Sequence, residues 1–222
     1  HLSMDTGITV LQGDRGVSQK AEGLGRASYY FSHPSMATRG TLTLPDREQP
    51  VNVSGHTWFD REIGSNQLGH DQSGWDWFAI QLDNGDCLML YQMRLKQGGT
   101  DPHSHGKWIP ALTAPEVSSA RGMHPSARTL GAGDFRLTPG ATWRSAASTA
   151  EYPRAWQISV PKLDLSLTLK ATVQNQEFLF EDPPTIAYWE GSHTVRGTLG
   201  GKSVSGRAYV EMTGYSGAVP GL

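Results

Sequence analysis

The chain has 222 residues, 37% of them hydrophobic and 18% charged, with a formal net charge of −2. That length holds one large domain or one and a half small ones around a real core, and the near-neutral balance leaves no nucleic-acid footprint. The single cysteine, Cys87, excludes an internal disulfide and a thiolate zinc cluster, and no apolar run reaches the ~18 residues that span a bilayer.

The 26 glycines and 13 prolines mark a turn-rich chain, still short of the ~25% Gly plus Pro of low-complexity disorder. No leader with a charged start and an apolar stretch follows His1, so an amino-terminal part of the natural protein is expected to precede it. Helical periodicity is nearly absent and period-two runs dominate. Ala27–Ser32, Arg39–Leu44 and Val51–Phe59 read as strands bounded by turn residues. Trp75–Leu82 and Cys87–Leu95 flank Asp83-Asn84-Gly85-Asp86. Asn-Gly there predicts a two-residue hairpin turn with both residues at positive φ. Pro110–Leu130 lacks a pattern and is read as a strand edge plus loop. Trp156–Val160 and Leu163–Val173 follow, then Ile186–Arg196 and Ser203–Thr213 joined through Gly200-Gly201. Strands at this spacing predict an all-β sandwich or barrel.

The central hairpin is apolar on both faces. Trp75, Trp77 and Ala79 share one face, and Phe78, Ile80 and Leu82 the other; Met89, Tyr91 and Met93 oppose Leu88 and Leu90. A sheet wet on one side alternates more cleanly. Either a ligand cavity fills a barrel or another layer packs outside it.

Four groups of residues carry chemistry. On a strand, His56, Trp58, Asp60 and Glu62 share a face, as an acid/base set beside an aromatic wall or as an Asp-Arg-Glu ion-pair network. Asp76 between Trp75 and Trp77 is either a neutral acid in an apolar setting or a partner of Arg94. In the last hairpin Tyr188, Glu190, Ser192 and Thr194 share one face, and Arg207, Tyr209, Glu211 and Thr213 another. They form one polar patch in a pocket wall only if the register aligns them; otherwise they are a solvent-facing surface. His103-Ser104-His105 has metal-ligand spacing, but Asp101-Pro102 before it suggests a turn and no third ligand is marked, so no metal and no cofactor are expected. There is no Gly-x-Ser-x-Gly elbow, Walker loop or dinucleotide fingerprint.

Several blocks together resemble the AttH-like proteins, the lipocalin-like group that includes the carotenoid 1,2-hydratases. They are Leu11–Lys20 (LQGDRGVSQK), Ala27–Ser32 (ASYYFS), Val53–Glu62 (VSGHTWFDRE), Gly74–Asp83 (GWDWFAIQLD), Leu88–Arg94 (LMLYQMR), Tyr188–Gly191 (YWEG) and Gly206–Tyr215 (GRAYVEMTGY). The resemblance implies two linked lipocalin-like β units, of which this chain holds the carboxy-terminal one and a remnant of the first. Many relatives carry a secretion signal, so the full-length form is expected to be periplasmic or secreted. The hydratase branch adds water to a carotenoid alkene through a carboxyl proton donor, and fungal relatives cyclise polyketide products. Two departures count against carotenoid hydration. Ile63 stands where relatives have Trp, and Gln92 and Met93 follow Tyr91 where the hydratase branch has an acidic residue.

The reading is therefore an all-β, antiparallel lipocalin-like barrel (66–222) with a partial β unit before it (1–65). The chain changes units near Gly64–Leu68. Its expected function is a pocket for a small hydrophobic molecule, with Asp60, Glu62, Asp76 and His56 as acid/base candidates. Trp58, Trp75, Trp77, Tyr91, Tyr188, Glu190, Tyr209 and Glu211 would bind the ligand. Hydrolysis or hydration, non-catalytic binding, and a structural or interaction role with a filled barrel remain as three alternatives. No nucleic-acid partner and no transmembrane segment are expected, and sequence does not set the oligomeric state.

Overall fold

The structure, a computed structural model, describes residues 1–5, 7–64, 68–120, 122–180 and 187–217. Its strands form two main sheets. The first contains β1 (Leu2–Met4), β2 (Val10–Leu11), β3 (Val17–Gln19), β4 (Ala27–Leu42) and β5 (Val51–Ile63), with β4 at its centre. Ala27–Ser32 and Arg39–Leu44, read as separate strands, belong largely to β4. The register skips between His33 and Met36, and Pro34 sits in that bulge, the place in a sheet that tolerates a residue without an N–H.

The second sheet starts with β6 (Gln72–Leu82), β7 (Cys87–Leu95), β8 (His105–Ile109), β9 (Arg128–Gly131) and β10 (Arg136–Pro139). A small separate pair, β11 (Thr142–Arg144) and β12 (Glu151–Pro153), precedes β13 (Ala155–Val160), β14 (Leu165–Ala171), β15 (Glu177–Leu179), β16 (Ala187–Leu199) and β17 (Lys202–Thr213). The antiparallel order is β10-β13-β14-β16-β17-β6-β7-β8-β9, with β15 alongside β16. The two edge strands, β9 and β10, are joined by residues 132–135 alone, which reach at most about 18 Å. The sheet must therefore curl, giving an antiparallel half-barrel of the expected lipocalin-like class. Ile186, placed at a strand start by the sequence reading, lies outside the described residues, as do 65–67 at the change of sheet.

The β6–β7 hairpin forms as expected, but by a different turn. Only Gly85 has a positive φ, +89°, and Gly85 N donates to Leu82 O at 3.0 Å while Leu82 N donates to Asp86 O at 2.9 Å. This is a three-residue loop with Gly85 in the left-handed position. The segment read as pattern-free holds a short helix, α1 (Ala114–Ser119). Thr113 N donates to Glu116 Oε2 at 2.8 Å, a capping box legible as Thr-x-x-Glu.

The barrel interior is packed with side chains. Phe78, Ile80, Leu88, Leu90, Trp156, Ile158, Leu167, Leu169, Trp189 and Val210 form one buried cluster, and Leu130 and Phe135 join it from the edges. Small barrels are commonly filled this way. A second cluster lies on the outer face of β6 and β7. Met89, Tyr91 and Met93 meet Tyr30, Leu68, Trp58, Trp75 and Trp77 there. Both faces of the hairpin are apolar because the first sheet packs outside the barrel. Gln81 Nε2 to Pro34 O (2.7 Å), Gln72 Nε2 to Lys20 O (2.8 Å) and Lys107 Nζ to Gly13 O (3.2 Å) tie the two sheets together.

Candidate functional site

A cavity of about 860 Å³ lies between the sheets. It is outside the barrel, so of the two arrangements that the two-faced hairpin allowed, a ligand cavity in the barrel or a layer packed outside it, the outer layer is the one present. The first sheet contributes Lys20, Tyr30, His56, Trp58, Asp60 and Glu62 to its wall. The second contributes Trp75, Trp77, Tyr91 and Met93 from the β6–β7 hairpin, and Tyr188, Glu190, Arg207, Tyr209 and Glu211 from β16 and β17. Phe178 and Phe180 line it beside β16. All the candidates named from sequence are brought together here except Asp76.

Asp76 is the correction. It alternates with Trp75 and Trp77 along β6, so its side chain points to the opposite face and is fully buried there. The Arg94 guanidinium, Gln92 Nε2 (2.9 Å) and Tyr215 OH (2.9 Å) donate to its carboxylate. Arg94 also stacks 4.1 Å over the Tyr215 ring. The ion pair with Arg94, one of the two readings of Asp76, is the arrangement present, and the residue has no access to the cavity.

The first sheet's carboxylates are held by neighbours that sequence could not pair with them. Register places Ser32 opposite Asp60 and Tyr30 opposite Glu62. Asp60 accepts from Ser32 Oγ, from Tyr30 OH at 2.7 Å and from Trp58 Nε1 at 2.9 Å. Trp77 Nε1 in turn donates to Tyr30 OH at 3.0 Å, so one chain of donors runs from the second sheet to Asp60. Burial raises the Asp60 carboxyl above its ordinary range, against the pull of those donors. Glu62 pairs with Lys20 Nζ at 2.6 Å and accepts from Ser28 Oγ. No Asp-Arg-Glu network forms, because Arg61 points to the other, exposed face of β5. His56 is exposed at the rim, its Nδ1 3.0 Å from Ser35 Oγ.

On the facing sheet, Glu190 and Glu211 are direct cross-strand partners. The polar patch that depended on register therefore exists and faces the cavity. Burial and then the charge of Glu190 push the Glu211 carboxyl up to about 7, while Trp75 Nε1 donates to it at 2.6 Å. Burial likewise raises Glu190, which Tyr209 hydrogen-bonds. Two like charges this close cannot both ionise freely. Aromatic rings form the walls between the two sheets. Trp58 meets Trp77 edge to face at 6.2 Å, and Trp75 meets Tyr188 likewise at 6.3 Å.

Sequence reasoning missed Lys20, Tyr30 and Ser18, and considered His105 only as half of a metal-ligand pair. Ser28, Tyr30 and Ser32 alternate in ASYYFS, which was a legible signal of one polar face. Nothing local marked Lys20. Ser18 Oγ lies 3.1 Å from Tyr91 OH and 2.9 Å from His105 Nε2, fixing the phenol from behind. Tyr91 OH also donates to Gln19 O at 3.3 Å. Burial pushes His105 down to about 3, so it is neutral. His103 binds Asp101 at 2.8 Å and lies before β8, so the two histidines are already engaged by different partners.

The AttH-like family model matches residues 2–215. A curated relative, the dehydratase asqC of Emericella nidulans, is 24% identical over 187 residues, covering 83% of this chain and 50% of that protein. A solved chain from Nitrosomonas europaea, described as an AttH candidate (NE1406), is 29% identical with a TM-score of 0.79, covering 96% of this chain and 61% of that one. The crystal structure of kievitone hydratase from Nectria haematococca shares the fold, with a TM-score of 0.73 at 22% identity, over 96% of this chain and 60% of that one. The chain thus spans about half the length of the curated relative and about 60% of the two solved chains. With residues 2–215 matched by the family model, the chain belongs to the AttH-like family.

Proposed function

We propose that the chain carries a hydration or dehydration site for a small, largely apolar molecule. The observation that carries this reading is Glu211, a carboxyl shifted to about 7 beside Glu190 on an aromatic-walled cavity. A group with that value both gives and takes a proton near neutral pH, which is what adding or removing water across a carbon–carbon bond requires. The dehydratase relative supports the same class of reaction.

The roles divide by hydrogen bonding. Asp60 spends three acceptor positions on Ser32, Tyr30 and Trp58, and Glu62 is committed to Lys20 and Ser28. These two orient the wall. Glu211 and Glu190 hold the mobile proton, Tyr188 and Tyr209 flank them, and Trp58, Trp75 and Trp77 exclude water from the apolar part of the ligand.

The test is exchange of solvent 18O into aryl alcohols with and without a neighbouring carbonyl, and appearance of alcohol from the matching alkenes and enones, by mass spectrometry. Turnover should fall by about 100-fold or more in Glu211→Gln. Unchanged turnover in that variant removes Glu211 from the reaction. Saturable quenching of tryptophan fluorescence by every probe, with no product, would establish a binding protein instead.

A further inference from the structure

Of the two cationic side chains on the cavity wall among the described residues, Arg207 is exposed and Lys20 is 7% exposed. A buried ammonium costs several kcal/mol unless it is compensated. Here the compensation is Glu62 Oε1 at 2.6 Å and the ring faces of Tyr91 at 4.3 Å and Tyr30 at 5.2 Å. Its backbone is tied on both sides, Lys20 N to Arg26 O at 2.8 Å and Lys20 O to Gln72 Nε2 at 2.8 Å. The two rings are themselves fixed, Tyr30 by Asp60 and Tyr91 by Ser18. An ammonium has three donors. Glu62 takes one and the Tyr91 phenol oxygen a second, so one N–H is left. Lys20 therefore keeps donor capacity toward the cavity.

The cavity is polarised as a result. A fixed cationic donor stands on one sheet and the Glu190–Glu211 proton carrier on the other, with apolar rings between them. Protonating an isolated alkene requires an acid and no donor for an oxygen anion. Chemistry at the carbon next to a carbonyl requires both a base at carbon and a donor at oxygen.

We propose that Lys20 receives a carbonyl oxygen, and that the substrates of this site are β-hydroxy ketones and the enones they form by loss of water, rather than isolated alkenes. This rests on the hydration reading above. Ionised Glu211 takes a proton from the carbon between the carbonyl and the carbinol, and the C–H electrons form an enolate whose oxygen lies against Lys20. The enolate electrons then form the conjugated double bond as the carbon–oxygen bond at the β position breaks. The departing hydroxide takes the proton held by the Glu190–Glu211 pair and leaves as water. Substrate equals enone plus water, with no redox partner, and hydration is the reverse.

The experiment uses the full chain and two probe pairs. One pair carries a carbonyl, 4-hydroxy-4-phenylbutan-2-one and benzylideneacetone. The other lacks it, 1-phenylpropan-1-ol and β-methylstyrene. The double variant Lys20→Met/Glu62→Gln removes the ammonium together with the carboxylate it would strand, and Lys20→Arg restores a cation. Circular dichroism checks that each variant is folded. The carbonyl pair should react, with kcat reduced about 100-fold or more in the double variant, KM changed less, and partial rescue by arginine. Bound benzylideneacetone should show a red-shifted absorption in the wild type that the double variant lacks. Equal turnover of the carbonyl-free pair, or kcat and absorption shift retained in the folded double variant, overturns the carbonyl assignment and leaves the hydration reading standing. A Lys20-dependent absorption shift without turnover of either pair keeps the carbonyl assignment and overturns the hydration reading. Absence of both shift and turnover overturns both.

Discussion

At the scale of single residues, the cavity is a set of carboxyls whose behaviour is decided by their donors. Glu211 has one, the Trp75 indole, and its value near 7 in the folded chain against an ordinary 4.5 has a thermodynamic consequence. Between those pH values the native state keeps a proton the unfolded chain has released, so stability falls as pH rises from about 4.5 to about 7 and stays lower above it. Glu211→Gln removes that slope. Urea denaturation should show the variant more stable than wild type at pH 8, by about 1–3 kcal/mol, and level with it at pH 4. A difference that does not grow with pH refutes the shift. Burial raises Asp76 as well, against the pull of Arg94, Gln92 and Tyr215, but its partner is a half-buried cation. Asp76→Asn leaves the Arg94 guanidinium without its countercharge and should cost about 3–5 kcal/mol in the same measurement. Turnover per folded molecule should stay near wild type, because Asp76 faces the barrel interior.

At the scale of elements, the site depends on β17 lying tightly between β16 and β6. Gly206 pairs with Leu82, and a Cβ there would stand 2.2 Å from the backbone oxygen of Gln81. Gly206→Ala must push β17 off β6, along with Arg207, Tyr209 and Glu211. The expected result is a loss of at least about 2 kcal/mol and weaker ligand quenching of the tryptophans. An alanine variant with wild-type melting and binding would show that the strands can separate at no cost. Alternation on each strand was legible from sequence, down to which residues share a face with Glu190 and with Glu211. Their juxtaposition was not, since a one-residue slip turns every side chain over and only hairpin geometry fixes it. Gly200 and Gly201, at φ +55° and +71°, set that geometry by pairing Leu199 with Lys202. Pro34 had the converse effect: it looked like a strand end, and its own strand, β4, carries it as a bulge against β5.

At the scale of the whole molecule, the barrel core and the cavity wall occupy opposite faces of the same strands. Along Trp75–Leu82 of β6 the even-numbered side chains turn to the barrel and the odd-numbered ones to the cavity. Trp156, 1% exposed and edge-on to Phe78 at 5.1 Å, belongs to the first. Trp156→Ala should cost about 3–5 kcal/mol while leaving the ligand affinity of the folded fraction unchanged. Trp58→Ala should do the reverse, weakening ligand binding at least about tenfold with a smaller loss of stability. Isothermal titration beside thermal melting distinguishes them, and equal effects of both on affinity would mean that barrel core and cavity are one unit.

By itself the sequence determined the all-β class, the main hairpins, the two-faced apolar character of Trp75–Leu82 and about half of the residues that line the cavity. Those follow from local rules: period-two alternation, turn glycines, and the rarity of carboxylates among tryptophans. Tertiary structure decided where the cavity lies, which partner each carboxyl keeps, and that Lys20 stands among them. Alternation says that a strand has two faces but not what covers each one. Here the barrel interior is filled and the first sheet closes over the outside. Hydrogen-bond partners such as Lys20 with Glu62 and Trp75 with Glu211 are 42 and 136 residues apart in the chain, so only the register and packing of two sheets bring them together.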